Sequence, residues 1–291
     1  MQKRESEVKE PATAVNRIQE ETECRLLTSL HEFKACVAMQ RQIWGEDYGD
    51  VVPASLLQAM HKVSAITGGA FSSETGEMVG FVFGFTGFKD GRPSHWSHML
   101  GVLPDQRGRG IGEALKLAQR EWVLEQGVEE IRWTFDPLFS GNAHFNLNLL
   151  GIQVESYEPD MYGDTGSVLH SFGTDRFIAF WDLHAPIGPH VPLGGRSSLE
   201  SGPVLNLAED EQPISVFRAG DEVAPSVRIA IPGDVVAISR VNPRLALQWR
   251  VSTRSAFTQC LDAGYAVSGF YRDRQAGISY YVLHAPPGRL P

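Results

Sequence analysis

The sequence predicts an α+β fold, and three observations carry that expectation. Residues 65–88 hold two apolar runs around the polar turn "SSETGE", and "HWSHMLGVLP" follows at 95–104, which together read as a hairpin and a further strand. That last strand runs directly into "LPDQRGRGIGEALKLAQREW" at 103–122, where three glycines alternate with two arginines ahead of a helical pattern. Strand and helix patterns then alternate to residue 183.

The elements follow in order. Residues 1–22 form a charged, polar lead-in. "ECRLL" begins a short strand, and Thr28 or Ser29 N-caps a helix with Phe33, Val37, Gln40 and Trp44 at helical spacing. Pro53 opens a second helix at its first turn. After the glycine-arginine turn, Ile111, Leu115, Ala118 and Trp122 share a helix face that stops at Gly127. "EEIRWTFDP" alternates as a strand ending at Pro137, and "GNAHFNLNLLG" is a helix ending at Gly151. "IQVESYE" and "DRFIAFWDL" are strands flanking a loop from Glu158 to Thr174.

Composition then shifts toward Pro, Gly and Ser. Residues 184–204 read as a linker, and 205–291 as a smaller α+β accessory domain: a strand in "SVRIAIPGDV", a helix with Leu245, Trp249, Ser252 and Ala256 on one stripe, and a hairpin in "AVSGFYRDRQAGISYYVL". "LHAP" occurs at 183–186 and again at 283–286, each time after a helix, a glycine and two strands. This echo is either a repeat of the helix-hairpin unit or a coincidence.

The balance of 42% hydrophobic and 21% charged residues is that of a soluble globular protein. No apolar run is long enough to span a membrane, and the charged N-terminus lacks the apolar core of a secretory signal, so a cytoplasmic protein is expected. Cys24, Cys36 and Cys260 are few and far apart, which argues against a disulfide framework or a cysteine-rich metal site. A net charge of -9 disfavours nucleic acid, whose phosphates need a basic footprint.

The glycines carry the chemistry. A strand feeding a glycine-rich turn into a helix N-terminus is an anion site, because unpaired backbone N–H groups converge there and the helix dipole favours negative charge. The alternative is a tight turn needing glycine for geometry alone. A dinucleotide fingerprint fails at Glu113, and a P-loop fails for want of Gly-Lys-Ser/Thr. The pattern met is Arg107-Gly108-Arg109-Gly110-Ile111-Gly112, which resembles the acyl-CoA pyrophosphate loop of the GNAT N-acetyltransferase superfamily.

The resemblance covers residues 23–183 in element order. "HMLGVLP" is similar to that family's fourth strand, "EEIRWTF" to its fifth, and "GNAHFNLNLLGIQVE" to its Asn-x-x-Ala-x-x-Leu-Tyr segment. "RQIWG", "WTFDP" and "NLNLLG" resemble an uncharacterised subfamily of predicted acyltransferases that also carries a C-terminal extension. The resemblance implies a mixed, mostly antiparallel sheet splayed between strands four and five, and acetyl-CoA or another acyl-CoA as co-substrate, with no metal. It implies acyl-CoA contacts from Val102, Leu103, Arg107, Gly108, Arg109, Gly110, Ile111, Gly112 and Asn142, with the N–H at Val102 or Leu103 polarising the thioester. Two departures stand out: Leu147 occupies the usual general-acid tyrosine position, and Ser140 that of the usual CoA-contacting asparagine, a role Asn142 is placed to share.

Trp96, His98, Leu100 and Val102 share a strand face by the two-residue period. The family's carboxylate position on that face is Trp96, so His98 is the nearest base for the amine; its alternative is a structural hydrogen bond. Asp136 is the second catalytic candidate, or else a turn residue before Pro137. Trp96, Tyr157, Tyr162 and Arg176 are expected at the acceptor, Arg176 as a fork for a carboxylate or else as a surface arginine. His144 is a further histidine, read as a helix-surface residue. The expected function is acyl transfer, acetyl or succinyl, to a primary amine, with a small amino acid or related amine as acceptor. Acylation of a protein amine and a non-catalytic acyl-CoA sensor are the alternatives, and a homodimer is one arrangement open to the chain. Metal hydrolysis and serine hydrolysis have no motif in their support.

Overall fold

A computed structural model describes residues 21–163, 172–188, 202–207, 213 and 224–286. The lead-in up to residue 20, residues 164–171 of the Glu158–Thr174 loop and most of the 184–204 linker lie outside the described residues. The chain divides into two compact units, Met1–Thr86 with Ser97–Gly127, and Gly87–Trp96 with Val128–Pro291. Among the described residues there are two sheets: seven strands in the order β1-β2-β3-β4-β5-β7-β6, and three in the order β8-β10-β9.

In the first unit β1 (Thr22–Leu26), β2 (Ile66–Ser72) and β3 (Met78–Lys89) form an antiparallel meander. Helix α1 (Leu30–Trp44) starts at Ser29, which makes a full capping box with Glu32. Pro53 caps α2 (Ala54–His61). Phe81 and Phe83 join Phe33, Cys36, Met39 and Leu57 of these helices in one core, whereas Val82 between them packs with Ile111 and Leu115 of α3 (Ile111–Glu125). Successive side chains on β3 thus serve opposite faces of the sheet.

β4 (Arg92–Val102) does not keep that alternation throughout. Ser97 faces α3, where its hydroxyl accepts from Lys116 at 2.7 Å and donates to Gln119 at 2.9 Å. Leu100 and Val102 also pack on the α3 side, but Met99 joins the α1–α2 core. A strict two-residue period cannot place Ser97, Leu100 and Val102 together, so the facing slips by one residue between Ser97 and Leu100.

In the second unit β5 (Glu130–Phe135) pairs antiparallel with β7 (Arg176–Asp182), and β7 with β6 (Gln153–Glu158). α4 (Ser140–Ala143) continues into a π-helical turn, His144–Leu150, closed by Gly151 in the left-handed conformation at φ 69°. β8 (Ser226–Pro232), α5 (Val235–Val241), α6 (Pro243–Asp262), β9 (Ala266–Asp273) and β10 (Ile278–His284) complete this unit. The expected α6 stripe is buried at Trp249, Ser252 and Ala256, together with Arg250, Thr253, Phe257 and Cys260.

What α6 covers is aromatic and charged. Phe257 lies 4.7 Å from Phe177 and 5.1 Å from Tyr281, and the Tyr281 hydroxyl donates to the Pro137 carbonyl at 2.9 Å. Arg250, 1% exposed, donates to Asp136 at 2.5 Å. Arg254 donates to Asp175 at 2.5 Å and lies 2.7 Å from Asp160. Burial alone would raise the Asp175 carboxyl, but the Arg254 and Tyr157 hydrogen bonds hold it below the usual range. The three cysteines are free: Cys36 and Cys260 are buried and Cys24 half-buried. Burial pushes their thiols up, Cys24 to about 11 and the other two to about 12.

Removing one partner of a buried ion pair strands the other charge. Arg250→Met should therefore destabilise the fold by roughly 3–5 kcal/mol. Lys89→Ala, which breaks the exposed pair with Glu155, should change stability by about 1 kcal/mol or less. Urea titration followed by tryptophan fluorescence compares the two; equal effects would refute a structural role for the Arg250–Asp136 pair.

Candidate active site

The glycine turn leaves the end of α3 open. Gly108 and Gly110 have φ of 77° and 82°, a region where a side chain is strained. Gly110 is the N-cap of α3, and no side chain caps that end. The helix's first N–H groups are thus presented without a side-chain acceptor, with the positive end of the dipole behind them. The two arginines are held differently. Arg107 Nε donates to the Val102 carbonyl at 3.2 Å, folding its side chain back over the strand end. Arg109 is exposed and bonds to Gln106 at 2.8 Å, with Glu21 at 3.3 Å.

One expected contact is corrected here. The Leu103 N–H donates to the Val79 carbonyl at 3.0 Å, so it is already spent within the meander. Leu103 therefore does not polarise a thioester, although its side chain packs in the α1–α2 core.

The facing of His98 is corrected as well. Its ring stands 6.0 Å from Phe83 and 6.2 Å from Phe85, on the side of the sheet opposite Leu100 and Val102. The slip in β4 is the reason. The side chain is solvent-accessible, and burial of its inner edge lowers the imidazole below its ordinary value, with Asp50 opposing. His98 is thus neutral at neutral pH and able to accept a proton.

In the second unit β4 and β5 run parallel, with a ladder of two pairs, His95↔Ile131 and Trp96↔Arg132. Trp96 is half-buried beside this short ladder. Asn142 is exposed on α4, and its carbonyl accepts from Asn146 at 2.9 Å. Asn146, one turn on, is buried and takes the Trp133 indole N–H at 3.0 Å. Leu147 is buried, so that turn offers no hydroxyl. His144 is half-buried, not a plain surface residue, and burial together with Arg272 and Arg274 lowers its imidazole.

Three expected residues turn out to be engaged elsewhere. Asp136 is 6% exposed, accepts from the Leu138 N–H at 2.9 Å and from Arg250, and has Arg176 at 3.5 Å. Its oxygens are thus taken up by partners within the fold, which fits the turn-residue reading of Asp136 rather than the catalytic one. Arg176 is buried and donates to the Asp175 carbonyl at 3.0 Å, so it is neither a surface arginine nor an open fork. The Tyr157 hydroxyl donates to Asp175 while its ring packs 5.6 Å from Phe257, which makes it part of the α6 interface. Tyr162 differs: it is 45% exposed, bonds to Thr134 at 3.1 Å and lies under the Arg176 guanidinium at 5.2 Å.

Sequence reasoning missed Lys116. It is fully buried on α3 against Ser97 and Gln119, and burial drives its amine well below the ordinary lysine value. A lysine inside a helix reads as solvent-facing, and only its one-residue offset from the Ile111–Leu115 face could have hinted otherwise. Among the described residues no group of three His, Cys, Asp or Glu could hold a metal, and no helix is long and apolar enough to cross a membrane.

Comparison with known proteins follows the same lines. Residues 34–145 match the profile of the Acetyltransferase (GNAT) family. No curated protein matches the chain. Among solved structures it is similar to a GCN5-related glucosamine N-acetyltransferase region of a fungal multi-domain GH3 β-N-acetylglucosaminidase, at 23% identity and TM-score 0.34, spanning 38% of this chain and 13% of that one. It is also similar to the PaiA N-acetyltransferase of Thermoplasma acidophilum in complex with coenzyme A, at 19% identity and TM-score 0.39, over 55% of this chain and 98% of that one. The ribosomal-protein-S18-alanine N-acetyltransferase of Escherichia coli matches at 12% identity and TM-score 0.43, over 57% and 96%. The family match spans the glycine turn, His98 and Asp136, and on it the chain is an enzyme that carries a GNAT-family acetyltransferase domain over residues 34–145.

Proposed function

We propose that the chain transfers an acetyl or succinyl group from acyl-CoA to the primary amine of a small amino acid or related compound, in the cytoplasm and without a metal. The observation that carries this reading is the uncapped α3 N-terminus behind two left-handed glycines, which suits a pyrophosphate. Backbone N–H groups from Arg109 to Gly112 hold the pyrophosphate; Arg107 and Arg109 add charge. With Leu103 engaged, the Val102 N–H is the donor assigned to the thioester oxygen.

The step balances as follows. The neutral amine nitrogen attacks the thioester carbon and the C–S bond breaks. The CoA sulfur leaves with the electron pair and takes one proton from solvent, since Leu147 offers none. The nitrogen's surplus proton passes to His98, directly or through a water. Trp96 and Tyr162 are the acceptor-side residues and Asn142 the second CoA contact in this reading. Acylation of a protein amine is separated from it by offering free amino acids beside peptides.

Two measurements test the proposal. Gly110→Asp adds a side chain and a like charge in the cradle and should weaken CoA binding at least tenfold, about 1.4 kcal/mol. Unchanged affinity by calorimetry in a folded variant would remove the loop assignment. For His98, kcat/KM should rise with pH through an ionisation below the ordinary histidine value of about 6.5, because the residue must be neutral to act. His98→Gln should lose that limb and about 10²–10⁴-fold in kcat, with CoA affinity kept. A limb that survives the substitution and moves with the acceptor's own amine pKa would return the ionisation to the substrate.

A further inference from the structure

The LHAP echo is structural. β5, α4, β6 and β7 make a sheet of order β5-β7-β6, and β8, α5–α6, β9 and β10 make one of order β8-β10-β9, antiparallel at every pairing. In each, a left-handed glycine, Gly151 or Gly264, ends the helix before the hairpin. Aligning the two LHAP segments matches Asp182 with Val282. Their partners Glu130 and Arg228 then correspond, and counting along both strands brings Asp136 onto Asp234. Both aspartates cap the turn that follows, Asp136 taking the Leu138 N–H and Asp234 the Ala237 N–H, each at 2.9 Å.

The match reaches one strand further back. β4 lies parallel to β5, and Val204 bridges Arg228 of β8 in parallel as well. By the same count Ala230 corresponds to Arg132, so Asn206 stands at the position of Trp96, the last residue of β4 that pairs with β5; it is 1% exposed and holds that pair with its side chain. It donates to the Ala230 carbonyl and accepts the Ala230 N–H, both at 2.8 Å.

The two copies also meet reciprocally. β6 packs on β9, the π-helical turn after α4 touches β9, and α6 touches β6. Asn148 of the first copy donates to the Phe270 carbonyl at 3.0 Å, while Phe257 of the second lies on Tyr157. Tyr157 and Phe270 each stand six residues past the glycine that ends their copy's helix. Arg272 reaches the Ser140 carbonyl at one end, and Arg254 reaches Asp160 at the other. Contacts in which each copy offers the other the same patch are those of a two-fold dimer.

We infer that residues 203–286 are a second copy of the arm at 92–186 whose role is to be that arm's pairing partner within one chain. The face through which two such domains would associate is filled from within, and residues 203–286 hold no counterpart of the Arg107–Gly112 run, which leaves the second copy without an acyl-CoA loop. The stoichiometry arm rests on the acyl-CoA reading above; the association arm does not.

Both arms use the full chain. Calorimetry with CoA should give one site per chain, and two sites would overturn the inference. A failure to bind CoA at all counts against the glycine loop and leaves the decision to association. Phe257→Asp puts a carboxylate among Tyr157, Phe177 and Tyr281, and should raise the mass by light scattering from the wild-type value to a dimer or larger, with circular dichroism retained. Arg254→Ala is the milder variant, should favour association in the same direction at raised protein concentration, and decides the matter if Phe257→Asp fails to fold. Folded variants whose mass stays at the wild-type value would overturn the inference.

Discussion

The buried ion pair between Arg250 and Asp136 is the constraint on which the second unit depends. Two charges removed from water cost several kcal/mol each unless geometry and further hydrogen bonds compensate. Here Asp136 receives the Leu138 N–H and two guanidinium groups, and Arg250 gives its Nε to the Phe172 carbonyl at 3.0 Å as well. Satisfying them fixes the end of β5, the start of β7 and the rotation of α6 at once. The aromatic packing of Phe177, Phe257 and Tyr281 then adds non-directional burial to a register that the charges have set.

Legibility in the sequence followed the range of the interactions involved. The Ser29 cap, the strand-glycine-helix junction and the antiparallel hairpins rest on neighbours a few residues apart, and these were readable. The α3 end is the best case, because the same glycines that permit the turn also leave the helix end without a side-chain cap. The ion pair of Asp136 and the packing of Tyr157 escaped the sequence for one reason. Their partners lie on or beside α6, and the Arg250–Asp136 pair spans 114 residues of chain. No local window shows such a partner.

The misread facing of His98 has a different origin. Alternation along a strand is a rule of regular pleating, and β4 slips by one residue between Ser97 and Leu100. Apolar side chains on both faces, Met99 on one and Leu100 on the other, hide such a slip from any periodicity count. The same irregular stretch carries His98 and leads into Val102, the two residues on which the proposed chemistry rests, so an error in facing fell where it mattered most.

The state of the three sulfurs has a practical corollary. Acyl transfer from a thioester liberates a thiol, and a thiol-reactive chromogen is the direct way to follow it. At assay pH the reagent attacks thiolates, and Cys24, Cys36 and Cys260 are all held in the protonated form by burial. The folded chain therefore contributes little background colour, and a slow rise in signal with neither acyl-CoA nor acceptor present reports unfolding.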